Sequence, residues 1–421
     1  MAKKSAVGSV GKAAEDKGLS KRPKIWFHRC DFFYDLADGK REMNRTFCKD
    51  MLTRWENPEI WENALTNTDV YSIHERLFDI DGKKVQQGFQ FLIRLNKYFN
   101  TQIDEKEMWD NRKRYAPKLH NLYLNLILPV LHKYKVKLLI HTIGSKGKYV
   151  PWNMVGDDGK KEKPRYPKNT AGFVRVKETI SLINKVAVQI DSNFGVSYVK
   201  LQSTLSGNWK RGSENNVTCA LEYMRAVNDW MNEPLTKREK WPTISFFLGD
   251  ALERRRDIDK NFRWEEAYTL FHHKMKSNND YRDIYNRFKG IRIEFNKNWA
   301  DDTGEPPFEK SPGWDKLSGR LSGNTGAVKL LQGFGWEVGL EHNHPFAVDE
   351  QDYQRLVLRT AEILMEREKL RLDFAVLHTD AAGGKGDCKP YNVIPEKRGK
   401  EDPPTFSSVL NVLVAYYEVG K

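Results

Sequence analysis

Cysteine is scarce. The four in this 421-residue chain, Cys30, Cys48, Cys219 and Cys388, are scattered and form no C-x-x-C pair. That argues against a zinc site and a disulfide framework, and it fits a reducing compartment. Long apolar runs are missing too. The most apolar stretch, 119–131, is far short of the ~20 residues that a membrane span needs. The first residues carry charge but no apolar segment of the secretory type. The expected location is the cytoplasm or a particle assembled there, with no membrane partner. Common catalytic signatures are absent as well: there is no G-x-S-x-G, no G-x-G-x-x-G after a strand, no H-E-x-x-H and no kinase pattern. No cofactor is implied, and the reading leans away from an enzyme.

Acidic residues are in deficit. Lys and Arg number 70 against 57 for Asp and Glu, giving a net charge of +13 and a pI near 9.3. Such a field draws polyanions, and nucleic acid is the commonest of them, RNA being expected before DNA. Apolar side chains are plentiful enough, at 39%, to build a core that a disordered chain lacks.

Residues 1–26 concentrate Lys3, Lys4, Lys12, Lys17, Lys21 and Arg22 among small residues. A segment this poor in large apolar side chains cannot offset its ordering entropy, so it reads as a basic mobile arm for phosphates. The body, 27–421, is expected to be mainly helical, with a split placed near the loops 144–172 and 300–350. Leu119, Leu122, Leu126 and Val130 recur at helical steps, with Pro129 expected to kink that helix. The same spacing predicts helices over 173–190, 217–232, 264–276, 281–288 and 353–364. Short helices are also read over 41–55 and 58–65. Strands are expected near 194–198 and 370–378, where apolar and polar residues alternate. The fold class that follows is an α-rich α+β protein with a few short strands and long basic loops.

Several clusters carry chemical potential. Lys146 and Lys148 sit in a basic glycine turn with a G-x-x-G pattern, and Arg254, Arg255 and Arg256 open a segment of interleaved basic and aromatic residues. Basic side chains there would hold phosphates, and exposed aromatics would stack bases. Two D-x-K triplets, Asp81 to Lys83 with Asp69 or Asp79 upstream and Asp387 to Lys389 with Asp373 or Asp380, resemble magnesium-nuclease patterns. His342 with His344, and the pair His272 and His273, offer imidazoles without a third metal ligand at a telling spacing.

The layout points to a non-enzymatic nucleic-acid-packaging protein of viral coat or nucleocapsid type, self-associating and neutralising phosphates with its arm and loops. The alternatives are a metal-dependent nuclease using a D-x-K site, and a monomeric cellular RNA-binding protein.

Overall fold

The computed structural model describes residues 24–28, 33–35, 41–43, 68–78, 80, 89, 92–93, 102–142, 171–202, 213–233, 241–250, 264–294, 325–342 and 372–378. Ten strands fall among them: β1 (Lys24–His28), β2 (Phe33–Asp35), β3 (Arg41–Met43), β4 (Val70–His74), β5 (Lys137–His141), β6 (Val196–Gln202), β7 (Ser245–Asp250), β8 (Phe288–Glu294), β9 (Glu337–His342) and β10 (Phe374–His378). β2 and β3 form a small antiparallel pair. The other eight are all parallel and close into a barrel in chain order, with β1 hydrogen-bonded to both β4 and β10. Helices fill the connections: α1 (Glu105–Asp110) and α2 (Arg112–Lys133) before β5, α3 (Ala171–Ile190) before β6 and α4 (Ser213–Met231) before β7. Then α5 (Trp264–Ser277) and α6 (Arg282–Arg287) precede β8, and α7 (Thr325–Gly333) precedes β9. This is the TIM-barrel architecture.

The expectation of an α-rich α+β protein with few strands is therefore corrected. The physical reason is burial on both faces. A strand in a parallel barrel is covered by helices outside and by other strands' side chains inside, so it reads as a short apolar run rather than as an alternation. β7, with Phe246, Phe247 and Leu248 all buried, shows no polar face. β8 hides inside the segment read for its interleaved basic and aromatic residues, and β9 inside a stretch read as turns and loop. Residues 41–43, read as the start of a helix, are strand β3. The helices of 173–190, 217–232, 264–276 and 281–288 stand close to where periodicity put them, as does the strand near 374–378. The helix read over 353–364 and the residues 44–67 lie outside the described residues.

Two apolar cores result. The outward strand residues, among them Ile73, Leu138, Ile140, Leu201, Phe246, Ile291 and Leu340, pack with α2, α3, α4 and α5 into one large cluster. The inward residues Val70, Leu139, Phe247, Phe374 and Val376, with Tyr198, make a separate small one. Tyr198, Phe247 and Phe374 meet edge to face, at centroid distances of 5.4 and 5.7 Å, and floor the lumen. Gly339 makes room for this floor, because a Cβ there would lie 2.0 Å from the Phe374 ring. α2 runs through Pro129, which sits on its exposed side, while Leu119, Leu124, Ile127, Leu128 and Leu131 are buried.

The turns into β5 and β9 repeat one device. After α2, Lys135 adopts φ 58° and Val136 N–H donates to Leu131 O at 3.0 Å. After α7, Gly335 adopts φ 79° and Trp336 N–H donates to Leu331 O at 3.4 Å. Each is the left-handed cap by which a helix stops and reverses. Side chains then pin the strands. Asn184 Oδ1 accepts from Val196 N–H at 2.8 Å, and Asp373 Oδ2 accepts from Val338 N–H at 2.9 Å.

Two stability predictions follow from these contacts. A left-handed L-residue is strained, so Lys135→Gly is expected to stabilise by about 0.5–1 kcal/mol and Gly335→Ala to destabilise by about 1 kcal/mol, read by urea denaturation. His120, on α2, is buried between Phe78 and Phe89, and burial lowers its pKa from 6.5 to about 4. The unfolded chain then binds a proton between these values that the folded chain refuses. Stability should fall by about 3 kcal/mol as pH drops from 6.5 to 4 and flatten below. Melting curves of His120→Leu across that range should lose this component of the slope.

Candidate active site

Alternation along a parallel strand sends every second residue to the lumen. Starting from the apolar floor, the inward register continues through Ser72 and position 74 on β4, His141 on β5, and Lys200 and position 202 on β6. It continues through Gly249 on β7, Arg292 and position 294 on β8, position 341 on β9, and position 378 on β10 beside position 28 on β1. The last position in this register on each barrel strand is 28, 74, 141, 202, 249, 294, 341 or 378, in sequence His, His, His, Gln, Gly, Glu, Glu and His. Each is polar or glycine. The floor lies toward the strand starts, so these positions belong to the C-terminal mouth.

Neighbouring strands bring like chemistry into register. His28 pairs with His378, His74 with His141, His141 with Lys200, and Glu294 with Glu341. Where side chains are described, the contact is direct. Lys200 is 1% exposed and His141 5%, and Lys200 Nζ lies 3.0 Å from His141 Nε2. Thr142, the next residue after β5, ties the two strands at that level: its N–H and its Oγ1 hydroxyl each donate to Lys200 O at 3.0 Å. Arg292 is also 1% exposed, and its register neighbours on both sides are glycines, Gly249 and Gly339. Ser72 Oγ is buried in the same lumen with no hydrogen-bond partner among the described residues.

A lysine and an arginine inside a barrel are costly to desolvate, several kcal/mol each even after relaxation. Apolar residues would serve stability better, so their presence marks a site that handles charge. In characterised TIM-barrel enzymes the active site sits at this C-terminal face. The arrangement can transfer a proton between imidazole and amine and hold an anion against a fixed guanidinium. Among the described residues no group of three or more His, Cys, Asp or Glu is placed to hold a metal ion.

The candidates read from the sequence fare differently. Lys3, Lys4, Lys12, Lys17, Lys21, Arg22, Lys146, Lys148, Arg254, Arg255 and Arg256 lie outside the described residues. Of the aromatics proposed to stack bases, Phe262, Phe295 and Trp299 also lie outside them, whereas Tyr268, Phe271, Tyr281 and Phe288 are buried in the main core, three of these against Trp336. His272 stacks on Phe334 at 4.3 Å, a packing role. Asp69 and Asp373, named as upstream nuclease carboxylates, stand at the N-terminal ends of β4 and β10, opposite the mouth, and Asp373 holds the Val338 amide. Asp79, Asp81, Asp380 and Asp387 lie outside the described residues. Lys200, His141 and Ser72 were missed, and Arg292 was read only as one of the basic residues of the 252–299 segment. The available signal was a polar residue closing each short apolar run: Leu-Leu-Ile-His, Tyr-Val-Lys and Ile-Arg-Ile-Glu.

No family model and no curated protein matches the chain. Among solved structures it is similar to a fungal β-1,4-galactanase (10% identity, TM-score 0.42, covering 93% of this chain and 98% of that one). It is similar to the AHE enzyme from Alicyclobacillus herbarius at 10% identity and TM-score 0.42, covering 94% and 97%. A β-mannanase from a symbiotic protist of the termite Reticulitermes speratus follows at 9% identity and TM-score 0.37, covering 88% and 84%. At such scores these likenesses carry no functional inference. The expectation of a virion coat or capsid protein is nonetheless overturned. Its premise was a helical body without chemistry, and the chain is a closed parallel barrel with ionisable residues converging on one mouth.

Proposed function

We propose that this protein is an enzyme acting at the C-terminal mouth of its barrel on a small, hydroxyl-rich substrate that carries an acidic group, of the sugar-acid or sugar-phosphate class. One observation carries the reading: the buried Lys200 and His141 pair, in a lumen that also buries Arg292. Arg292 supplies a planar, permanently charged fork for a carboxylate or phosphate. His141 and Lys200 exchange a proton at 3.0 Å and so act as the acid–base couple. The polar strand ends suit hydroxyl groups, which need donors and acceptors once out of water.

A second reading has its own support. Glu294 and Glu341 are register partners on adjacent strands. Retaining glycosidases use a pair of neighbouring carboxylates, and register brings two glutamates side by side here. Glycosidic cleavage by that pair would make the protein a carbohydrate-active hydrolase.

Two measurements separate these. In thermal-shift and calorimetric titrations, gluconate or glucose 6-phosphate is expected to stabilise the protein, glucose is not, and Arg292→Gln should weaken the acidic ligand about tenfold or more, roughly 1.4 kcal/mol. Equal responses to charged and neutral sugars would overturn the first reading. The second predicts release of nitrophenol from aryl glycosides, lost in both Glu294→Gln and Glu341→Gln.

A further inference from the structure

We infer that Lys200 is a covalent catalyst, forming a Schiff base with a carbonyl group of the substrate while His141 carries the proton. This deepens the proposed function and rests on it for the placement of the site. Lysine is the side chain that condenses with carbonyl compounds, and it does so as the neutral amine. Lys200 has what that step requires. Its Nζ is withdrawn from bulk water and lies 3.0 Å from an imidazole nitrogen able to accept its proton. Its backbone carbonyl is held by two donors from Thr142, the N–H and the hydroxyl, which fixes the strand carrying the amine beside the strand carrying the imidazole. A surface lysine, mobile and hydrated, has none of these constraints.

The step balances without an outside reagent. His141 Nε2 takes one proton from the Lys200 ammonium. The Nζ lone pair attacks the carbonyl carbon, a C–N bond forms, the carbonyl π pair moves to oxygen, and one amine proton passes to that oxygen. The carbinolamine then loses its hydroxyl as water, protonated by the His141 imidazolium, and a protonated C=N bond remains. The net change is ammonium plus carbonyl giving iminium plus water, with His141 returned to its starting form. Arg292 in the same lumen selects carbonyl compounds that also bear an anion. The buried Ser72 hydroxyl, which has no hydrogen-bond partner among the described residues, is available to the oxygen that leaves. The substrate class is therefore a keto acid or a phosphorylated keto sugar, both of which place an anion near a carbonyl.

The test is reductive trapping on the full chain. The protein is incubated with pyruvate, dihydroxyacetone phosphate or uncharged dihydroxyacetone, reduced with borohydride, digested and mapped by mass spectrometry. A single adduct is expected on the peptide containing Lys200, with one of the two anionic probes favoured over the uncharged one. Pyruvate and the phosphate distinguish carboxylate from phosphate recognition. Lys200→Arg should abolish the adduct. His141→Asn should leave its position unchanged but slow its formation by about a hundredfold or more and shift its pH dependence, which a packing role would not do. Mapping of the unaltered protein decides the matter even where a variant fails to fold. Adducts spread over surface lysines, or none with either anionic probe, overturn the inference. If trapping fails while acidic sugars still bind through Arg292, the covalent step alone is wrong. If both fail, the proposed function falls with it.

Discussion

Closure of the sheet is the constraint on which everything else rests. β1 hydrogen-bonds to β4 on one side and to β10 on the other, so none of the eight barrel strands is left with a free edge. Once the ring is shut, each strand residue faces either the helical shell or the lumen. The described side chains of the shell side are apolar and merge with the helix core. The lumen is too narrow to be left empty. Its lower part is filled by Tyr198, Phe247 and Phe374, and its upper part by polar groups. The polarity gradient along the barrel axis thus follows from register. Two residues beyond Tyr198 comes Lys200, and two beyond Leu139 comes His141.

The same closure explains why the charged residues matter. In open solvent a lysine beside a histidine is an ordinary surface pair. Inside a barrel, where water is excluded, electrostatic contacts strengthen and the cost of an uncompensated charge rises with them. Stability alone would favour Val or Leu at positions 200 and 292, as it does at the floor. The opposite end keeps its polar side chains for structure: Asp373 and Asn184 spend their oxygens on strand amides, and Lys137 lies over the Tyr198 ring with Nζ 5.8 Å from its centroid. One end of the barrel holds itself together, and the other is equipped for chemistry.

The helices were legible because their apolar stripes repeat at 3.6 residues over many turns, as in α3 and α4. The barrel was not. Its strands are short runs such as Ser-Phe-Phe-Leu-Gly-Asp, whose two buried faces erase the period-two signal, and only β6 and β10 announced themselves by alternation. The site was hidden for a related reason. Arg292 was visible as one more cation in a basic segment, and nothing local distinguishes it from solvated Arg282. Its burial is a property of eight strands meeting, and those strands are dispersed from residue 24 to residue 378. The positive surplus counted from composition therefore said little about which cations face water.

The seam between β1 and β10 has a kinetic consequence. Trp26 pairs with Val376, so the seam joins residues 350 positions apart (376 minus 26). Everything up to residue 378 must be available before that seam can form. Pairing of strands so far apart in sequence is the kind that forms slowly and leaves sheet edges exposed in the meantime. Slow closure of the ring is the consequence expected of this topology.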